Sequence, residues 1–220
     1  MAFRNTLLLF VICACFSTSA VLAQYSKDDW ERRDEWMNVT ALIDLLAVAE
    51  GDSVADVGCH EGYFSFHLSE KVGRAGRIYA VDVEEYRLDA LKEHLRDRKV
   101  TNIEAILGEY DNPKLPENSL DAVIIMDTYH EMEAYNTILS HIKKSLKSTG
   151  RLLILEKLKK HKRDKDRIEQ IEAHTISSKY VKKELEDAGF EIIESIADFG
   201  NWKNEPDKQM WILLAVPVQK

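Results

Sequence analysis

Val54-Ala55-Asp56-Val57-Gly58-Cys59-His60-Glu61-Gly62-Tyr63 is the stretch on which the fold of this 220-residue chain turns. An apolar run carrying one acid passes into two glycines four residues apart and then into a segment of helical length. That order is a strand, a tight turn and a helix. Glycines in the turn let the backbone approach a ligand, and the unpaired N–H groups at the helix start favour an anionic group.

Outward from this turn, short apolar runs alternate with helical stretches. Strands are predicted at 53–57, 77–81, 103–107, 122–126 and 151–156, with helices at 63–71, 84–98 and 135–148 between them. Strands separated by helices of this length pair in parallel through right-handed crossovers, which gives a doubly wound three-layer α/β sandwich. The tail departs from that rhythm. A helix at 179–188, stopped by Gly189, is followed by strands at 190–196 and 210–216 with no helix between them. The expectation is a hairpin that puts one antiparallel strand on a mostly parallel seven-stranded sheet. Upstream, residues 24–50 are expected to form one or two amphipathic helices, ahead of the α/β domain at 51–220.

The first 23 residues do not fit the fold. MAFRNTLLLFVICACFSTSAVLA has one positive charge at Arg4, an apolar run from Leu7 to Phe16, and small residues ending in Ala23. That order is a secretory signal peptide, which predicts cleavage after Ala23 and a periplasmic or secreted protein. The run is about half of the roughly 20 residues needed to cross a hydrocarbon core, so no stable transmembrane anchor is expected. A lipoprotein acylated at Cys15 is the competing reading. Cleavage would leave 197 residues with a net charge of −9 and Cys59 as the one remaining thiol, hence no internal disulfide. An overall charge of −8 also argues against a nucleic-acid binder, which needs clustered Lys and Arg.

In an open α/β sheet the ligand sits beyond the carboxyl ends of the strands, where the strand order reverses. The first strand end offers Asp56, Gly58, His60, Glu61 and Gly62. The second ends at Asp82, 26 residues after Asp56, and a carboxylate there can take both hydroxyls of a ribose. The third ends in Glu109-Tyr110-Asp111, acids and a ring suited to an adenine. The fourth ends in Asp127-Thr128-Tyr129-His130-Glu131. A dinucleotide fingerprint requires glycine at 58, 60 and 63, and His60 and Tyr63 break it.

On these residues the chain resembles the class I S-adenosylmethionine-dependent methyltransferases over about residues 51–216, and a subgroup of exported methyltransferases with an Asp-x-Tyr-His-Glu strand end. Asp56, Gly58 and Gly62 match the first motif, with His60 where the middle glycine usually stands. Asp82 matches the ribose-binding acid, and Glu109 to Asp111 fall where the adenine contact is expected. The stretches from Leu115 to Val123 and from Lys147 to Leu152 are similar to the family's lead-ins to strands four and five. The resemblance implies S-adenosylmethionine as cofactor, a small-molecule methyl acceptor and a Rossmann-like methyltransferase fold. A non-catalytic cofactor-binding module is the alternative, motivated by His60 and by export away from the cofactor's usual supply.

Methyl transfer needs positioning first, and a base only when the acceptor carries a proton that must leave. His130 is the candidate base because imidazole titrates near neutrality, with Glu131 as its neighbour and Asp127 either orienting it or touching the cofactor. Seven Lys or Arg between Lys157 and Arg167 could attract an anionic acceptor or simply cover a solvated helix start. The seven histidines lack paired ligand spacing, so no metal site is expected, and Cys59 is read as a small packing residue. Asn38-Val39-Thr40 matches a glycosylation sequon but falls within a predicted helix.

Overall fold

The computed structural model describes residues 27–202 and 204–218. The expected signal peptide at 1–23 lies outside them. Two helices, α1 (Lys27–Met37) and α2 (Val39–Leu46), precede the alternating core. The core runs β1 (Ser53–Val57), α3 (Tyr63–Val72), β2 (Arg77–Asp82), α4 (Glu85–Arg98), β3 (Ile103–Leu107) and β4 (Leu120–Met126). It continues through α5 (Tyr135–Ser145), β5 (Leu146–Lys159), α6 (Arg167–Ile171), α7 (Ser178–Asp187), β6 (Phe190–Ile196) and β7 (Lys208–Pro217).

The seven strands lie in the order β3-β2-β1-β4-β5-β7-β6. The first five are parallel in register, and β7 runs antiparallel to both β5 and β6. This is the expected doubly wound sheet, with the closing hairpin placed so that the last strand inserts between two others. Order reverses between β1 and β4, so the crevice opens at their carboxyl ends.

The pleat sorts the strand residues into two cores. Val54, Ile124, Leu153 and Leu155 face α1 to α4, where Met37, Leu42, Leu46, Leu68, Leu88 and Leu91 are buried. Ala55, Val123, Ile125, Leu152 and Ile154 face α5 and α7, against Ile138, Leu139, Ile142, Val181 and Leu185. Both faces are covered, which is why the strands read as continuous apolar runs rather than alternating ones.

Most element boundaries fall within a residue or two of the sequence expectation, and three regions differ by more. The N-terminal helix breaks at Asn38, which has φ 53, so the sequon asparagine sits exposed in a kink and not within a helix. Helix α5 stops at Ser145 because Leu146 pairs with Leu120 on β4, extending β5 back over residues expected to be helical. The basic stretch opens as strand, with Lys157 to Lys159 paired to β7, and the short α6 follows it.

Candidate functional site

A cavity of about 950 Å³ lies at the switch point, lined by the ends of β1 to β4 and roofed by α1. That volume suits a small-molecule or cofactor site. At the end of β1, Gly58, His60 and Gly62 all have positive φ, of 82, 54 and 90 degrees. A Cβ on Gly58 would stand 2.4 Å from the Thr128 methyl, so this glycine is required by a close approach as well as by its φ. His60 holds the left-handed conformation that a glycine would adopt freely, and its N–H donates to Asp82 Oδ2 at 2.9 Å. The loop shape therefore survives the histidine.

Asp82 ends β2, buried at 4% exposure, and also accepts the Glu84 N–H on Oδ1 at 3.0 Å. Two backbone donors fix this carboxylate, and a carboxylate with about four lone-pair sites keeps acceptor capacity for a ligand's hydroxyls. Asp56, behind the loop, accepts the Ser65 hydroxyl at 2.6 Å. Burial pushes its carboxyl up to about 6; the Ser65 bond and the Arg33 charge lower it in part. Glu61 is buried in the wall, 3.7 Å from His94 Nε2. Glu109 and Tyr110 line the cavity near the surface, Tyr110 being 73% exposed, whereas Asp111 stands outside the lining residues. Burial pushes the Cys59 thiol upward, in keeping with a packing role.

At the end of β4, Asp127 accepts a hydrogen bond from Lys157 Nζ at 2.6 Å. Tyr129 turns away into the core, where its hydroxyl donates to Glu184. His130 is buried with both ring nitrogens occupied: Nδ1 lies 2.8 Å from Glu156 Oε1, and Nε2 lies 3.0 Å from Glu131 Oε1. Burial alone would lower its pKa, and the Glu156 bond and charge outweigh that and raise it. The candidate base is thus a held imidazole. Glu156 itself is fully buried and accepts the backbone N–H groups of His130 and Lys157.

Several residues in the cavity wall or directly behind it escaped the sequence reading. Arg33 on α1 lies over the Tyr63 ring at 4.3 Å, and its Nε is buried with no hydrogen-bond partner. Nothing in a charged helix marks Arg33 over its neighbour Arg32. Glu156 did carry a mark: it is a lone acid closing the apolar run Leu152–Leu155. His174, on the loop after α6, contacts Glu131 Oε1 at 2.6 Å. His130, Glu131 and His174 offer ligand atoms within 4.8 Å of one another. Sequence spacing does not foresee this juxtaposition, because the fold joins residues 43 apart. The basic stretch splits: Lys157 lines the cavity, while Arg167 donates to Glu184 and Lys159 to the Ala173 carbonyl.

With this geometry in place, residues 49–189 match the family described as methyltransferase domain. The chain belongs to that methyltransferase family. A methyltransferase described as dependent on S-adenosylmethionine, from Aquifex aeolicus, superposes with a TM-score of 0.72 at 25% identity, covering 88% of this chain and all of the other. Among curated relatives, a demethylmenaquinone methyltransferase of Oceanobacillus iheyensis is 27% identical over 139 residues, covering 60% of this chain and 58% of its own. A (S)-coclaurine N-methyltransferase of Thalictrum flavum is 27% identical over 134 residues, covering 59% of this chain and 36% of its own. The chain spans about half the length of the curated relatives it matches. The methyltransferase match covers β1 through α7, ending just before β6, and so contains the carboxyl ends of β1 to β4 around the cavity. Among the described residues no helix is long and apolar enough to cross a membrane.

Proposed function

We propose that this methyltransferase domain binds S-adenosylmethionine and transfers its methyl group to a small-molecule acceptor. The observation that carries the reading is Asp82, a buried carboxylate at the end of β2, fixed by two backbone N–H groups and facing a cavity of cofactor size. Asp82 would take the ribose hydroxyls, the Gly58 to Gly62 loop would pass the backbone against the cofactor, and Glu109 and Tyr110 would border the adenine. Arg33 supplies a cation with an unused donor for the cofactor's carboxylate.

The bound cofactor supplies an electrophilic methyl on a sulfonium. As the acceptor–methyl bond forms, the sulfonium C–S bond breaks, leaving the thioether product, and any acceptor proton is released. The protein's part is to hold the acceptor in line and keep water out. We place the acceptor beside His130 and Glu131, because these polar groups line the cavity just after β4, on the other side of β1 from the strand that ends at Asp82. The non-catalytic alternative draws less support from His60 now that its φ of 54 keeps the loop in shape.

Calorimetric titration with S-adenosylmethionine and its demethylated product tests the reading; absence of binding at millimolar concentration ends it. Incubating an acceptor panel with methyl-labelled cofactor then separates transfer from binding alone. We further propose that the chain is an exported, periplasmic or secreted enzyme, on the strength of Arg4, the Leu7 to Phe16 run and Ala23. Mass spectrometry of the mature N-terminus tests this, and an intact Met1 overturns it.

A further inference from the structure

Two imidazoles and a carboxylate converge on one wall of the cavity, and the methyl-transfer reading needs none of them in that combination. We propose that His130, Glu131 and His174 form a site for one divalent transition-metal ion, open toward the acceptor.

Glu131 Oε1 lies 3.0 Å from His130 Nε2 and 2.6 Å from His174 Nδ1. Contacts this short need a positive centre between nitrogen and carboxylate oxygen, which either a proton on the imidazole or a metal ion supplies. One ion among the three donors supplies that centre for both contacts. An ion with bonds of about 2 Å sets tetrahedral donors about 3.3 Å apart, and donors lying within 4.8 Å of one another bracket that spacing.

A second, independent feature is what stands behind His130. Its Nδ1 is held at 2.8 Å by Glu156, which is fully buried and pinned by two backbone N–H groups. A buried carboxylate on the far nitrogen directs the near nitrogen's lone pair outward and fixes the ring plane, the usual support of a metal-bound imidazole. His130 shows 3% of its side chain, while Glu131 and His174 show 54% and 68%, so the ligand set runs from a rigid inner donor to a reachable rim.

Charge fits as well. Asp127 is paired with Lys157, and imidazoles bound to an ion would be neutral, leaving Glu131 and Glu156 as two carboxylates to balance an ion of charge +2. Imidazole donors favour zinc, iron, cobalt or nickel over magnesium and calcium, which prefer all-oxygen sets. Three protein ligands leave at least one position open. Resting on the methyl-transfer reading, that position would take an acceptor oxygen, lower its pKa and release its proton to solvent. The acceptor class is then an oxygen nucleophile such as a phenol or enol.

The test starts with chelator-treated protein titrated with Zn²⁺ by calorimetry and with Co²⁺ by visible absorption, Mg²⁺ serving as control. We expect one equivalent of Zn²⁺ or Co²⁺, with ligand-field bands for Co²⁺. His174→Ala and Glu131→Gln, both at exposed positions, should weaken it at least about tenfold, and Glu156→Gln about 10–100-fold. No uptake by the wild-type protein, or equal uptake by the His174→Ala/Glu131→Gln double variant, overturns the site. Metal uptake that depends on these residues supports it whether or not cofactor binds. Cofactor binding without metal uptake overturns the metal site and leaves the methyl-transfer reading standing.

Discussion

Asp56 gives the sharpest test of how the cavity is built. Its carboxyl is pushed up to about 6 from 3.8, burial being the largest cause, with Ser65 and Arg33 pulling it back and Asp82 adding to the rise. A shift of about two units corresponds to roughly 3 kcal/mol of preference for the protonated form in the folded state. The sign follows from linkage: the folded state takes up its proton as pH falls through about 6, and the unfolded chain only near 3.8. The group's stabilising contribution is therefore full below the unfolded value and lost as pH rises through the folded one. At pH 8 the buried, ionised carboxylate costs folding the whole amount. Asp56→Asn removes the titration and keeps the shape and the acceptor for Ser65. Its stability relative to wild type should rise by about 3 kcal/mol between about pH 3 and about pH 8, half of it by about pH 5, midway between the unfolded and folded values. Urea denaturation of the ligand-free proteins at a series of pH values measures this, and taking the difference between pH values cancels any fixed packing cost of the substitution. A difference that stays flat across the series would refute the reasoning. Cofactor affinity should fall in the same variant, the pattern of a residue kept at a cost to stability.

Other expectations follow from single contacts. Asp82→Asn should weaken binding of the demethylated cofactor by about 10–100-fold in calorimetry, since charge-assisted hydrogen bonds contribute about 1.5–3 kcal/mol each. Arg33→Met should weaken that ligand but leave 5′-methylthioadenosine, which lacks the carboxylate, bound as before; equal losses for both would remove Arg33 from the methionine end. Gly58→Ala should destabilise by about 2–4 kcal/mol in thermal or urea unfolding, from a φ of 82 and the contact with Thr128, with partial recovery in Thr128→Ala.

How much of this was legible in the chain depends on the range of the interaction that fixes each feature. Strand ends were readable because apolar runs, glycines and acids are local: β1, β3 and β6 fall on the expected residues, and Asp56, Asp82 and Asp127 all line the cavity. Helix α5 was read too long because its last turn is decided by a partner on β4, Leu120, which sequence periodicity does not see. The acceptor side was the least legible. His174 reaches Glu131 only through the course of β5 and α6, and the orienting partner of His130 is Glu156, 26 residues on, rather than Asp127 beside it. Arg33 reaches the cavity because α1 docks against Tyr63 and the 199–202 segment, where Trp36 meets Trp202 at 4.2 Å.

The placement of β7 also fixes when this protein can fold. The strand synthesised last, Lys208–Pro217, fills the slot between β5 and β6, contributing Trp211, Ile212, Leu213 and Leu214 to the two cores. Until it emerges, β6 has no neighbour and the two halves of the hydrophobic interior stay open along that seam. The nascent chain is thus denied a finished sheet until β7 has emerged, with the long-range pairings of that strand formed after the others. A premature stop that removes ten C-terminal residues would leave two unpaired strand edges, an aggregation-prone product rather than a slightly shorter enzyme.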